Sequence, residues 1–212
     1  MAYFSLLCLG FLFVLACPWP PAGAVDLTVQ DDAIGADIVQ AVIARLDSSD
    51  IFQSDHRLLR RIAYVESQDG TGSGVHGPFN GGIWAVEESK FQALLTAPEL
   101  AAKRDTIRLF FGIDWTHVTW NDLRKPLYSG LAARLFLSRL ELTATASIPL
   151  AGDIAGQAQF WFDYYYSKSG NITVEHFELQ INVLDKVEGM CSMKTHPLAT
   201  ISTQTEICVH IL

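Results

Sequence analysis

Apolar residues along this chain recur at helical spacing, and a single glycine-rich stretch interrupts them; together these leave little room for any class but a mainly helical one. Ile34, Ile38, Val42 and Leu46 predict an amphipathic helix over 34–46, closed by the Ser/Asp cluster at 47–50. Ser54 and Asp55 supply an N-cap for a helix over 56–67, with Leu58, Leu59, Ile62 and Val65 as its apolar face. Residues 69–82 then hold six glycines, a proline and an asparagine, which predicts a long irregular loop or a small hairpin. Helical patterns resume over 87–95. Pro98 opens a further helix that Gly112 stops, and 114–122 is an aromatic connection carrying Trp115 and Trp120. Pro126 opens a helix over 127–142 that is apolar on most sides and is therefore expected at the centre. Asp153 caps a helix to about 166, and Thr173 a last one to about 187. No set of strand-like alternations emerges, apart from room for one or two short strands in the glycine-rich loop.

Outside this pattern lies the start of the chain. Residues 3–16 are an almost unbroken apolar run, followed by Pro18, Pro20 and Pro21 and the small-residue site Ala22-Gly23-Ala24. This reads as a signal peptide over 1–24, although no Lys or Arg precedes the run. The alternative, a membrane anchor, calls for about 20 apolar residues, and this run is shorter. The expected organisation is a leader at 1–24, one helical domain at 25–190 and a tail at 191–212, in a secreted, extracellular protein that no membrane holds after cleavage. Of four cysteines, Cys8 and Cys17 belong to the leader. Cys191 and Cys208 then form an even pair in an oxidising compartment, which predicts one disulfide tying the tail. Two cysteines without clustered histidines make no ligand set, so neither a metal nor a cofactor is expected. A net charge of −8 argues against nucleic acid as a partner.

Glu66 carries the functional argument. Positions 58, 62, 65 and 66 share a helix face, which sets Glu66 at the edge of the buried stripe. It also occupies the last turn, where the helix dipole is negative. Burial and a negative helix end both favour the neutral acid, the form a glycosidase needs to protonate a leaving oxygen. The competing reading makes Glu66 a brace that accepts backbone N–H bonds from the loop.

Tyr64-Val65-Glu66-Ser67 resembles the Glu-Ser motif of soluble lytic transglycosylases and goose-type lysozymes. Gly82-Ile83-Trp84-Ala85-Val86 stands where those proteins carry a Gly-Leu-Met-Gln-like segment, and Gly156 to Trp161 where they carry an Ala-Tyr-Asn-Ala-Gly-like one. The likeness spans roughly 54–171. It implies a lysozyme-like helical fold, Glu66 as catalytic acid, and substrate contacts from Ser67, Gly82, Ile83, Trp84 and Tyr165. Ala85 replaces the family's substrate-binding glutamine, the third motif lacks its asparagine, and Phe160 or Trp161 replaces its tyrosine.

No second carboxylate is evident. Asp69 reads more simply as a turn residue of Asp-Gly, and Glu87 and Glu88 as first-turn acids of the next helix. The resemblance instead implies a one-acid mechanism assisted by the substrate's own N-acetyl group, ending in hydrolysis or in an anhydro product. Trp84 and Tyr165 are the expected sugar-stacking walls; Trp115 and Trp161 are expected in the core. His76 reads as a surface histidine, and Asn171 heads a glycosylation sequon. The chain is thus expected to be a secreted enzyme cleaving β-1,4-linked N-acetylated polysaccharide, peptidoglycan or chitin-like. The alternative is a weak or inactive glycan-binding or matrix protein of the same fold.

Overall fold

A computed structural model describes residues 25–72, 81–167 and 172–194, with the side chains of the last segment as far as Gly189. These residues form seven α-helices: α1 (Ala36–Asp47), α2 (Leu58–Ser67), α3 (Glu88–Thr96), α4 (Ala101–Phe111), α5 (Pro126–Leu142), α6 (Ile154–Phe160) and α7 (Val174–Lys194). Short 3-10 turns precede α1, α4 and α5, and one five-residue π turn, Trp161–Tyr165, continues α6. Among the described residues none forms a strand, so the chain is mainly α. Nor is any described helix long and apolar enough to cross a membrane.

The core is built on α5, which packs against α1, α2 and α3. Its residues from Leu127 to Ser138 are buried almost without interruption, as an apolar surface on most sides requires. Small side chains let neighbours approach. A Cβ on Gly130 would stand 2.6 Å from Val42 Cγ1 of α1. α7 closes the other side over α2 and α6, burying Phe177, Ile181 and Leu184.

Local chemistry moves several expected boundaries. Gly35, at φ 111°, stands at the N-cap, so α1 begins at Ala36 and Ile34 lies exposed outside the helix. The buried stripe is Val39, Val42 and Leu46, because a strict four-residue spacing walks around a 3.6-residue helix. His56 and Arg57 both take left-handed φ, so α2 begins at Leu58. Asp55 caps it, accepting from Arg57 N at 3.0 Å and Leu59 N at 3.1 Å. Every residue from Leu58 to Tyr64 is buried, two arginines included, whereas Val65 is only partly so. Pro98 opens a 3-10 turn rather than α4 itself. α7 runs to Lys194, past the helix end expected at about 187. Residues 1–24, expected as a leader, His76, Asn171 and Cys208, together with the Cys191 side chain, lie outside the described residues, as do 73–80 of the glycine-rich stretch.

Candidate functional site

Glu66 lies in the last turn of α2 and is partly buried, neither sealed in the core nor turned to bulk solvent. Trp161 Nε1–H donates to its Oε1 at 2.7 Å. Burial lifts this carboxyl from an ordinary 4.5 to about 7. The Trp161 hydrogen bond and the positive charge of Lys90 pull in the opposite direction, while the negative charge of Glu87 adds to the rise. Near neutrality the group is therefore divided between acid and carboxylate, the condition in which one side chain both gives and takes a proton.

The chain holds this acid through a long-range framework. Beyond Ser67 the backbone turns away through three successive left-handed residues, Gln68, Asp69 and Gly70. Asp69 is buried against Arg60, with oxygens 2.6 and 3.0 Å from the guanidinium, and Arg60 reaches Glu188 of α7 at 2.8 Å. Asp69 is thus the turn residue expected from Asp-Gly, and a buried ion-pair anchor as well. Ser67 Oγ donates to Ile83 O at 2.7 Å and accepts from Gly70 N at 2.8 Å, which ties α2 to the turn at 81–86.

That turn is pinned on every side. Gly81 and Gly82 have φ of 78° and 75°, and a Cβ on either would overlap the Val86 or Leu123 carbonyl oxygen. Ser129 Oγ of α5 donates to Gly81 O at 3.0 Å and accepts from Trp84 N at 3.3 Å. Trp84 Nε1–H reaches Leu59 O at 2.9 Å, Tyr165 Oη–H reaches Trp84 O at 2.6 Å, and Trp120 Nε1–H reaches Val86 O at 2.9 Å.

Five expected substrate contacts change role in consequence. Trp84 is fully buried, and Tyr165 is buried with its ring edge-on to Phe136, so neither offers a face to a sugar. Ile83 is also buried, the Ser67 hydroxyl is engaged with backbone, and Gly82 is the close-approach point against α5. Ile83, Trp84 and Tyr165 form a buried frame behind Glu66, and Ser67 and Gly82, partly exposed, are tied into it. Trp115 is core, packed on Phe91. Trp161 is buried as expected, stacked on Tyr166 at 4.9 Å, but its indole N–H is the direct partner of the acid.

The π turn accounts for this. Tyr166 N donates to Trp161 O at 2.8 Å, a five-residue closure that widens the helix at its end. It brings the Trp161 indole to Glu66, the Tyr165 hydroxyl to Trp84 and the Tyr165 carbonyl to Lys90. Lys90 and Glu87, at the start of α3, complete the surroundings of the acid; their ion pair spans 3.1 Å. Glu87 had only the signature of a first-turn acid, and nothing in the spacing of Lys90 marked it. Among the described residues no group of three or more metal-ligating side chains occurs.

Fold and site define a mainly helical protein with one partly buried, near-neutral glutamic acid braced by a tryptophan. Comparison with protein-family models, with curated proteins and with solved structures gives no match.

Proposed function

We propose that this chain is a secreted glycan-cleaving enzyme of lysozyme or lytic transglycosylase type, acting through Glu66 on β-1,4-linked N-acetylated polysaccharide. The observation that carries the reading is a carboxyl raised to about 7 by burial, on a residue that is itself only partly buried. Trp161 occupies Oε1, which leaves the proton to Oε2. From there it passes to the glycosidic oxygen as the C1–O bond breaks. The substrate's N-acetyl carbonyl oxygen bonds to C1 and carries the positive charge as an oxazolinium. Glu66, now a carboxylate, takes a proton from the hydroxyl that next attacks C1. That attack breaks the oxazolinium C1–O bond and restores the N-acetyl group; a water hydroxyl gives hydrolysis, and a hydroxyl of the same sugar gives an anhydro product.

The frame around Glu66 supports this chemistry by fixing the acid through α2, the 81–86 turn and the π turn at once, which is the preorganisation proton transfer needs. The resemblance of the Glu-Ser and Gly-Ile-Trp segments points the same way. A second reading, a glycan-binding or matrix protein without turnover, is favoured by Ala85 in place of the family glutamine and by the burial of Trp84 and Tyr165. Incubation with purified peptidoglycan and with chitin oligomers, beside Glu66→Gln, separates the two by mass spectrometry. Products from the parent and none from the variant support the enzyme. Saturable binding by both without products supports the second reading and refutes the first.

A further inference from the structure

Trp115 is the exception among the described tryptophans. The indole N–H groups of Trp84, Trp120 and Trp161 each donate to an oxygen at 2.7–2.9 Å. That of Trp115 is buried, on a residue 1% exposed, and donates to no acceptor among the described residues. A buried indole N–H ordinarily finds a partner, because leaving it unpaired forfeits its hydration. Trp115 forms part of the wall of a cavity of about 220 Å³ between α4 and the turn at 114–117.

The rest of that wall supplies positive charge. Arg104 and Arg108, one helical turn apart on α4, both line the cavity. Arg104 donates from one Nη to the carbonyl oxygens of Leu94 and Ala97, at 3.1 and 2.7 Å, and pairs with no carboxylate among the described residues. Arg108 has only Asp105, at 3.7 Å and well exposed. Ala101 also borders the cavity. It is the first residue of α4, a helix with no side-chain cap and no acid in its first turn, so the positive end of its dipole is uncompensated there. The carboxylates on the wall are already engaged. Asp114 accepts from Thr116 N at 3.1 Å and Thr116 Oγ at 2.7 Å through one oxygen, and meets His117 Nδ1 at 3.0 Å through the other. Asp105 is the partner of Arg108. What remains for a ligand is N–H donors and positive charge.

We propose that this cavity binds an oxyanion, the carboxylate or phosphate group of a small molecule, with the Trp115 indole N–H as neutral donor and Arg104 and Arg108 as charged partners. A guanidinium fork matches the paired oxygens of either group. The cavity is smaller than those that hold drug-sized ligands, which restricts the occupant to a small anion or the charged end of a longer molecule. None of these residues belongs to the frame around Glu66, so the site stands apart from the glycan-cleaving reading.

The test is proton–nitrogen NMR of the indole N–H signals in the full chain, at fixed pH and at ionic strength held constant with sodium chloride. The Trp115 signal is assigned by its loss in Trp115→Phe or, should that variant not fold, through its bonded link to the Trp115 backbone. Sodium phosphate and sodium acetate are the probes. The Trp115 signal should move and saturate with at least one of them while those of Trp84, Trp120 and Trp161 stay in place. A response to phosphate alone marks a phosphate site, to acetate alone a carboxylate site, and to both a general oxyanion site. Arg108→Gln, a change at an exposed side chain, should weaken binding roughly tenfold, and Arg108→Lys less. Glu66→Gln should bind as the parent does. A Trp115 signal that neither probe moves overturns the proposal, as does a shift that never saturates or one unchanged in Arg108→Gln.

Discussion

Replacing Glu66 by glutamine should make the protein more stable, and only at neutral to alkaline pH. In the folded chain the carboxyl titrates at about 7, against an ordinary 4.5 once the chain unfolds and burial is lost. An acid raised by folding binds its proton more tightly in the native state. Its stabilising contribution is complete below pH 4.5, declines as pH climbs from 4.5 to 7, and is gone above 7. Ionising this partly buried group against its surroundings therefore costs about 3 kcal/mol. Glutamine keeps the shape and a carbonyl oxygen to accept from Trp161 but never ionises. At pH 8 the variant should gain about 3 kcal/mol, or roughly 6–12 °C in Tm for a domain of this size. At pH 4.5 the two proteins should be nearly equal. Urea unfolding followed by tryptophan fluorescence at pH 4.5, 6 and 8 reads the difference directly. A variant equal to or weaker than the parent at pH 8, or a gain independent of pH, would refute the claim that burial dominates at Glu66. The same result would remove the main support for its role as an acid. A gain of the expected kind with loss of glycan cleavage would be the trade of stability for activity that strained sites show.

Two further outcomes test the frame. Gly81→Ala and Gly82→Ala force a Cβ into backbone carbonyls at positive φ and should each lose more than about 4 kcal/mol in thermal unfolding. Gly152→Ala meets nothing within 4 Å and should stay within about 0.5 kcal/mol of the parent. Asp69→Asn leaves Arg60 buried with only Glu188 as a charged partner; a loss of about 3 kcal/mol, little changed by added salt, is expected in urea denaturation.

What the amino-acid order settled by itself is local. Helical periodicity located the helices, most to within a few residues though α7 runs seven past its expected end, because each side chain's period relative to its neighbours is a property of consecutive positions. The apolar run of α5 announced a central helix for the same reason. Glu66 was legible as a group at the end of a helix and at the edge of its buried stripe. Gly81 and Gly82 stood in a stretch that could not be regular. What only the tertiary structure decided concerns partners distant along the chain. Trp161 lies 95 residues from Glu66, Ser129 lies 48 from Gly81, and Glu188 lies 128 from Arg60. No pattern in the intervening residues encodes those meetings. They follow from how α2, α5, α7 and the π turn pack as bodies, and that packing moved Trp84 and Tyr165 from expected sugar walls into the core. Arginines 60, 61 and 134 are buried against the ordinary habit of charged side chains, because each found a carboxylate or a carbonyl once the helices closed. Proton affinity belongs to the same category. It is the sum of burial, of the Trp161 hydrogen bond and of the charges at the start of α3, and such a sum exists only when the chain is folded.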